Sequence, residues 1–279
     1  MTNPAQWEPA LSASRAKEYQ RCPLQYRLHV VDGIKEPPTR ATALGTMVHA
    51  ALEHLYALPP EQRTPEATRR LLDEAWAELC EKDPQVRALF APSSHDDTEH
   101  LQEAYELINS YFGVENPQRL APSACEQLTE ATTPGGVRLR GIIDRVDRAP
   151  SGAIRVVDYK TGKAPSPRYI EDALYQMRFY ALLMLLKGEL PARLQLLYMR
   201  SQQVLTLDPK VEDIESFGLG VERLWEQIES DASRGYFAPR RNPLCQWCGV
   251  QASCPVFGGT IPPLPENGIA RLLRTRVAL

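Results

Sequence analysis

Hydrophobic positions along the chain change period several times, and each change predicts an element. From Leu11 to Gly33, residues Tyr19, Cys22 and Tyr26 recur at helical spacing after Ser12 and Ser14, either of which can cap the helix. Pro23 predicts a kink beside Cys22, and the two tyrosines read as core residues. A second helix is predicted over residues 42–58, where Gly45, His49, Leu52, Glu53 and Tyr56 share one face. Residues 65–81 and 96–113 read as amphipathic helices with no recognisable chemistry. Glu126 and Glu130 fall on one face of a predicted strand ahead of Gly135 and Gly136. Two β-rich runs, 137–146 and 154–159, flank Pro150, Ser151 and Gly152, which is the pattern of a hairpin. A polar loop then leads to a helix over about 171–187, strands at 193–199 and 204–207, and a helix over 211–230. Strands interleaved with helices in this order predict an α/β chain.

The hairpin carries the densest chemistry. If it folds about Ser151, Asp144 stands opposite Asp158, with Cβ atoms about 4.5–5.5 Å apart, where like charges destabilise. Lys160 shares a face with Asp158 because side chains alternate along a strand. A divalent cation would remove the repulsion, and oxygen donors of this kind suit Mg²⁺ or Mn²⁺. The plainer reading is a surface hairpin whose acids are neutralised by Arg145, Arg148 and Arg155. On the 171–187 helix Asp172, Gln176 and Tyr180 stack on one face, beside Met177, Ala181 and Met184.

Composition narrows the class. The 279 residues are 43% hydrophobic and 24% charged, ordinary for a globular chain. No apolar run reaches membrane-spanning length and the first ten residues lack a leader pattern, so the expected location is cytoplasmic. A net charge of −3 argues against indiscriminate nucleic-acid binding but leaves room for a local basic groove. In that compartment six cysteines are not expected to form disulfides. Cys80 and Cys125 stand alone, whereas Cys245, Cys248 and Cys254 cluster near one end and Cys22 lies near the other. Cys245 and Cys248 form a common metal-binding pair, and zinc is the simplest occupant, but no second such pair follows. Cys254-Pro255 instead echoes Cys22-Pro23. The tail, 260–279, begins rich in proline and ends basic and amphipathic, as a docking helix or a frayed end.

Taken in order, these motifs resemble the PD-(D/E)XK nucleases, specifically the RecB-like exonuclease branch. Gly141-x-x-Asp144-Arg145-x-Asp147 followed by Asp158-Tyr159-Lys160-Thr161-Gly162 is similar to the family's catalytic core. Gly45-Thr46-x-x-His49-x-x-Leu52-Glu53 resembles its histidine motif, and Gln176-x-x-x-Tyr180 its last nuclease motif. The resemblance implies a mixed central sheet flanked by helices in a single elaborated domain over 1–279. Within it, 42–207 would be the nuclease core, with a helical insertion at about 65–113. His49, Asp144, Asp158 and the Tyr159 carbonyl are then expected to hold the metal, Lys160 to serve the attacking water, and Gln176 and Tyr180 to position the strand. Glu126 or Glu130 would supply an upstream acid, and Glu53 could orient the imidazole. Cys22 with Cys245, Cys248 and Cys254 resembles the family's four-cysteine [4Fe–4S] staple, with Zn²⁺ as the alternative, in segments 11–33 and 239–258 that join the two ends. Arg15, Lys17, Arg21, Arg240 and Arg241 would form a basic lip beside it.

The expected activity is metal-dependent hydrolysis of DNA, single-stranded by preference and from an end, in repair or recombination and with a helicase or repair partner. No phosphate-binding motor loop occurs, so the nuclease stands without its own helicase. The rival from another class is a non-catalytic iron–sulfur or zinc DNA-binding scaffold that retains the nuclease fold.

Overall fold

The computed structural model describes residues 8–90 and 94–277. Residues 1–7, most of the segment read above for a leader, and 278–279 lie outside the described residues. In chain order the elements are α1 (Ala13–Arg21), α2 (Pro23–Val30), α3 (Arg40–Ala57), α4 (Pro65–Lys82), α5 (Pro84–Ala88) and α6 (Ser94–Val114). They continue with β1 (Pro122–Thr132), β2 (Arg138–Arg148), β3 (Ile154–Lys160), α7 (Ile170–Leu186), β4 (Arg193–Tyr198), β5 (Gln203–Leu207), α8 (Val211–Arg234) and α9 (Glu266–Leu273).

Helices begin where the sequence offers caps. Ser12, Thr39 and Thr64 each accept a hydrogen bond from a first-turn amide of α1, α3 and α4. The kink predicted at Pro23 is a complete break. Cys22 is extended between α1 and α2, and Pro23 takes the first helical position of α2, where its missing N–H costs nothing. Tyr19 and Tyr26 are buried edge to face, with ring centroids 5.5 Å apart, as their core reading required.

The strands form one mixed sheet in the order β1-β2-β3-β4-β5, antiparallel except for the β3–β4 pair. That parallel pair needs a crossover, and α7 supplies it. On one face α1, α7 and α8 pack over Val156, Leu194 and Leu196. On the other, α3, α4 and α6 pack over Val157, Tyr159 and Leu197. The helices predicted at 65–81 and 96–113 therefore form the second layer against α3.

Covered on both faces, β3 reads as an almost unbroken apolar run until its last residues. Alternation aims Val156, Asp158 and Lys160 toward α7, and Val157 and Tyr159 toward α3. The hairpin has the predicted register, Arg145 opposite Val157 and Arg148 opposite Ile154, but the ladder stops at Arg145. Asp144 and Asp158 sit one step beyond it, where β2 and β3 part. The tail docks: Arg138 donates to the Thr275 carbonyl, Val277 donates to that of Gly136, and Leu272 is buried. Among the described residues no helix is long and apolar enough to cross a membrane.

Candidate active site

The parting of β2 and β3 leaves a cleft in which α3, β1 and α7 each place side chains. His49 comes from the middle of α3, half-buried; its Nδ1 lies 3.4 Å from Asp144 Oδ2 and its Nε2 3.0 Å from the Tyr159 carbonyl. Nε2 can engage that carbonyl only as a donor, which leaves the Nδ1 lone pair facing a carboxylate oxygen. Two acceptors so placed call for a proton or a cation between them. Glu126 completes the group, since ligand atoms of His49, Glu126 and Asp144 all lie within 4.8 Å of one another.

Glu126 is recruited by its backbone. The β1–β2 ladder pairs Cys125 with Arg145 and Gln127 with Ile143, so Glu126 falls opposite Asp144, but with φ of 45°. A non-glycine residue in the left-handed region is strained, and the strain turns the side chain out of the regular alternation. Glu130 is instead exposed and paired with Arg140. The strand's period put both glutamates on one face; only this local irregularity separates them.

Electrostatics agree with a cation-binding cleft. Burial, then the proximity of Asp158, hold the Asp144 carboxyl well above the usual carboxylate range, although the Tyr159 amide donates to it at 2.7 Å. Burial and then Asp144 push Glu126 up to about 7. Asp158 is turned to the other side of the cleft. It accepts from Gln176 Nε2 at 2.7 Å and pairs with Lys160 Nζ at 2.6 Å. Burial opposes the charge on Lys160, but Asp158 outweighs it and keeps the ammonium. Gln176 accepts from Lys160 at 2.8 Å and donates to Tyr180, whose hydroxyl donates to the Ile142 carbonyl at 2.7 Å. Thus His49, Glu126, Asp144, Asp158, Lys160, Gln176 and Tyr180 surround one cleft, whereas Glu130 and the Arg145 side chain lie outside it. Asp158 stands outside the three-residue group that His49, Glu126 and Asp144 form. Glu53 bonds to neither imidazole nitrogen, since these face Asp144 and Tyr159.

Arg145 differs from the surface reading. It is fully buried, where its guanidinium donates to the hydroxyls of Tyr56, Tyr111 and Tyr159 and pairs with Glu115 and Asp147. A charge this deep is sustained only by such a surround of hydroxyls and carboxylates, although Arg145 Nε itself has no hydrogen-bond partner. It clamps Tyr159 between the two residues of the Asp-x-Lys pair. No sequence signal set it apart from Arg138, Arg140 and Arg148 of the same strand.

At the other end of the molecule, Cys22, Cys245, Cys248 and Cys254 line one recess of about 200 Å³. The Leu24 amide donates to the Ala238 carbonyl, joining the N- and C-terminal segments there. Backbone amides of Arg240 and Asn242 point at the sulfurs of Cys22 and Cys245, at 3.4 and 3.3 Å. Gly259 closes the turn after Cys254, where a Cβ would lie 2.1 Å from the Ala252 carbonyl oxygen. Cys80 and Cys125 are elsewhere. The basic lip is divided: Arg21, Arg240 and Arg241 line the recess, Arg15 pairs with Glu18, and Lys17 reaches Asp172.

A mixed sheet with an acid–histidine cleft and an adjoining ammonium defines an α/β protein with a nuclease-type site. Residues 10–255 match the PD-(D/E)XK nuclease superfamily, and the chain belongs to it. It is 24% identical to the Gene 69 protein of Mycobacterium phage L5, over 92% of this chain and 100% of that protein. The Gene 69 protein of Mycobacterium phage D29 is also 24% identical, over 89% of this chain and 97% of its own. A solved structure, that of SSO0001, aligns with 77% of the chain at 15% identity and a TM-score of 0.36, covering 94% of its own length.

Proposed function

We propose that the protein is a RecB-like, Mg²⁺- or Mn²⁺-dependent exonuclease acting on single-stranded DNA in repair or recombination. The observation that carries this reading is the cleft itself: two acceptors of His49 and Asp144 face each other, with Glu126 beside them and an ammonium 2.6 Å from Asp158. The donor set is one imidazole and carboxylate oxygens, which fits Mn²⁺ or Mg²⁺. His49, Glu126 and Asp144 would hold the ion, with Asp158 and the Tyr159 carbonyl adjoining. When bound, such an ion polarises a phosphate and lowers the pKa of its water. Lys160, kept charged by Asp158, acts as a donor that orients the attacking water and offsets charge developing on the phosphate, rather than as a general base. Gln176 and Tyr180 hold Lys160 and the β2 edge in place beside the bound strand.

The four cysteines are proposed to bind a [4Fe–4S] cluster that joins the chain ends. The amides aimed at sulfur suit thiolates.

The test is cleavage of end-labelled single and double strands by anaerobically purified, EDTA-stripped protein with Mg²⁺ or Mn²⁺ restored. Metal-dependent shortening of single strands from an end is expected. Lys160→Ala should lower kcat by about 10²–10³. No metal-stimulated cleavage of either strand form overturns the reading. Iron and zinc counted on the same sample decide the cluster: about four irons are expected, and one zinc without iron rejects it.

A further inference from the structure

Beside the cleft lies a second space that the hydrolytic residues do not fill. β2 pairs with β3 only from Arg145 onward. Nearer its start, β2 is bridged by Leu11, whose amide donates to Arg138 and whose carbonyl accepts from Arg140. Between these two pairings, Gly141 and Ile142 present a stretch of strand edge. That edge walls a pocket of about 420 Å³, closed by the start of α1 and by α7. The volume is in the ~300–1,000 Å³ range of small-ligand sites.

The pocket shares Gln176 and Tyr180 with the cleft, so whatever fills it adjoins the reacting phosphate. Its far wall is polar and cationic, with the Ser12 and Ser14 hydroxyls 3.0 Å apart and the Lys17 ammonium one turn further along α1. Its near walls are Ile142, unusually exposed for an isoleucine at 44%, and the ring of Tyr175. Lys17 lies 5.2 Å from the centre of that ring. The Lys17 and serine side suits a phosphate, and the Ile142 side an apolar face of a base or sugar.

Lys17 is paired in this structure with Asp172, the lysine side chain being half-buried and that of Asp172 exposed. A surface pair of this kind contributes little to stability, so Lys17 can be exchanged to a phosphate at small cost. Asp172 then acts as a competitor, holding the lysine and repelling the phosphate.

We infer that this pocket is a subsite for the nucleotide flanking the scissile phosphate, with Lys17 and Ser14 binding its phosphate and Asp172 weakening that grip. The subsite rests on the reading of the cleft as a DNA-hydrolysing centre. Restrained affinity lets a strand advance by one nucleotide after each cut, because the flanking phosphate is released from an ion pair that re-forms.

The two members of the pair give the test its sign. Full-length protein is titrated with a fluorescein-labelled oligothymidylate of about a dozen nucleotides in EDTA, over a range of salt. Lys17→Ala should weaken binding roughly threefold or more and reduce the slope of log affinity against log salt by about 0.7, the value for one phosphate contact on a single strand. Asp172→Asn should tighten binding by a similar factor. Both substitutions break the same ion pair, so a merely structural pair would shift both in one direction. Shifts in one direction, or none in either, overturn the subsite, with thermal melts confirming that both variants are folded. Cleavage of the same strand by wild-type protein with Mn²⁺ is measured in parallel. If wild type cleaves and the variants fail the sign test, only the subsite falls. If wild type neither binds nor cleaves, the hydrolytic reading falls with it.

Discussion

On the sequence pattern Asp144 and Asp158 look equivalent, two like charges across a hairpin, yet their surroundings give them opposite consequences for stability. Asp144 is buried against His49 and Glu126 with Asp158 nearby, so Asp144→Asn should leave the fold in EDTA at least as stable while abolishing metal-dependent cleavage. An asparagine oxygen can still accept from the Tyr159 amide. Asp158 is the counterion of Lys160 and the acceptor of Gln176, and Asp158→Asn should cost about 1–3 kcal/mol by stranding the ammonium. Urea unfolding in EDTA distinguishes the two; equal destabilisation would refute the separation. Glu126 adds a pH dependence. Its folded value of about 7 lies above the ordinary 4.5, so between these values the folded state holds more protons than the unfolded one. Its contribution to stability is therefore present at low pH and lost as pH rises through that window. Melts in EDTA from pH 5 to pH 8 should fall, Glu126→Gln should flatten the fall, and Mn²⁺ should reverse it at the alkaline end.

At the scale of elements, the site depends on how closely α7 approaches β2. Gly141 permits that approach: a Cβ there would lie 2.9 Å from Leu183 Cδ1 and 3.0 Å from the Tyr180 ring. Tyr180 is thereby brought close enough to donate to the Ile142 carbonyl and to accept from Gln176. Gly141→Ala should cost about 1–3 kcal/mol by overpacking and should lower kcat as well, because the displaced ring carries Gln176 and Lys160 with it. Unfolding curves and single-turnover rates check both. Full activity in the variant would mean that α7 can shift without moving the site. The helix and strand assignments were legible within a few residues because amphipathic period and capping are local properties. The break at Cys22 was only half legible. Pro23 announced a kink, but whether the chain continues as one helix depends on packing against the C-terminal segment.

For the whole molecule, the consequential contact is the one between the chain ends. Thr275 and Val277, after α9, bond to Arg138 and Gly136, and the Leu24 amide to Ala238, so both terminal segments, as far as they are described, are tied to the body before any metal is considered. The cluster proposed at Cys22 and Cys245 would close a long loop, where a cross-link restricts the unfolded chain most. Cys22→Ser should cost about 2–3 kcal/mol, lowering Tm by roughly 5–10 °C and bleaching any absorbance near ~400 nm, while Cys80→Ser should do neither. Differential scanning calorimetry beside absorbance spectra tests this. An unchanged Tm would show that the terminal contacts alone hold the ends together.

By itself the sequence determined the α/β class, the hairpin and its register, and the list of groups able to do chemistry. Each of these follows from a short-range rule: period, turn residues, spacing within one element. Only the tertiary structure decided between Glu126 and Glu130, because the choice rests on one left-handed backbone residue inside a strand whose period favours neither. It also placed Arg145 in the interior, since the hydroxyls of Tyr56, Tyr111 and Tyr159 and the carboxylate of Glu115, brought in from other segments to join Asp147 of the same strand, are what make that burial tolerable. And it moved Lys17 from the cysteine lip to the edge of the cleft, because the direction of α1 is set by the Leu11 bridge to β2, a pairing between residues far apart in the chain.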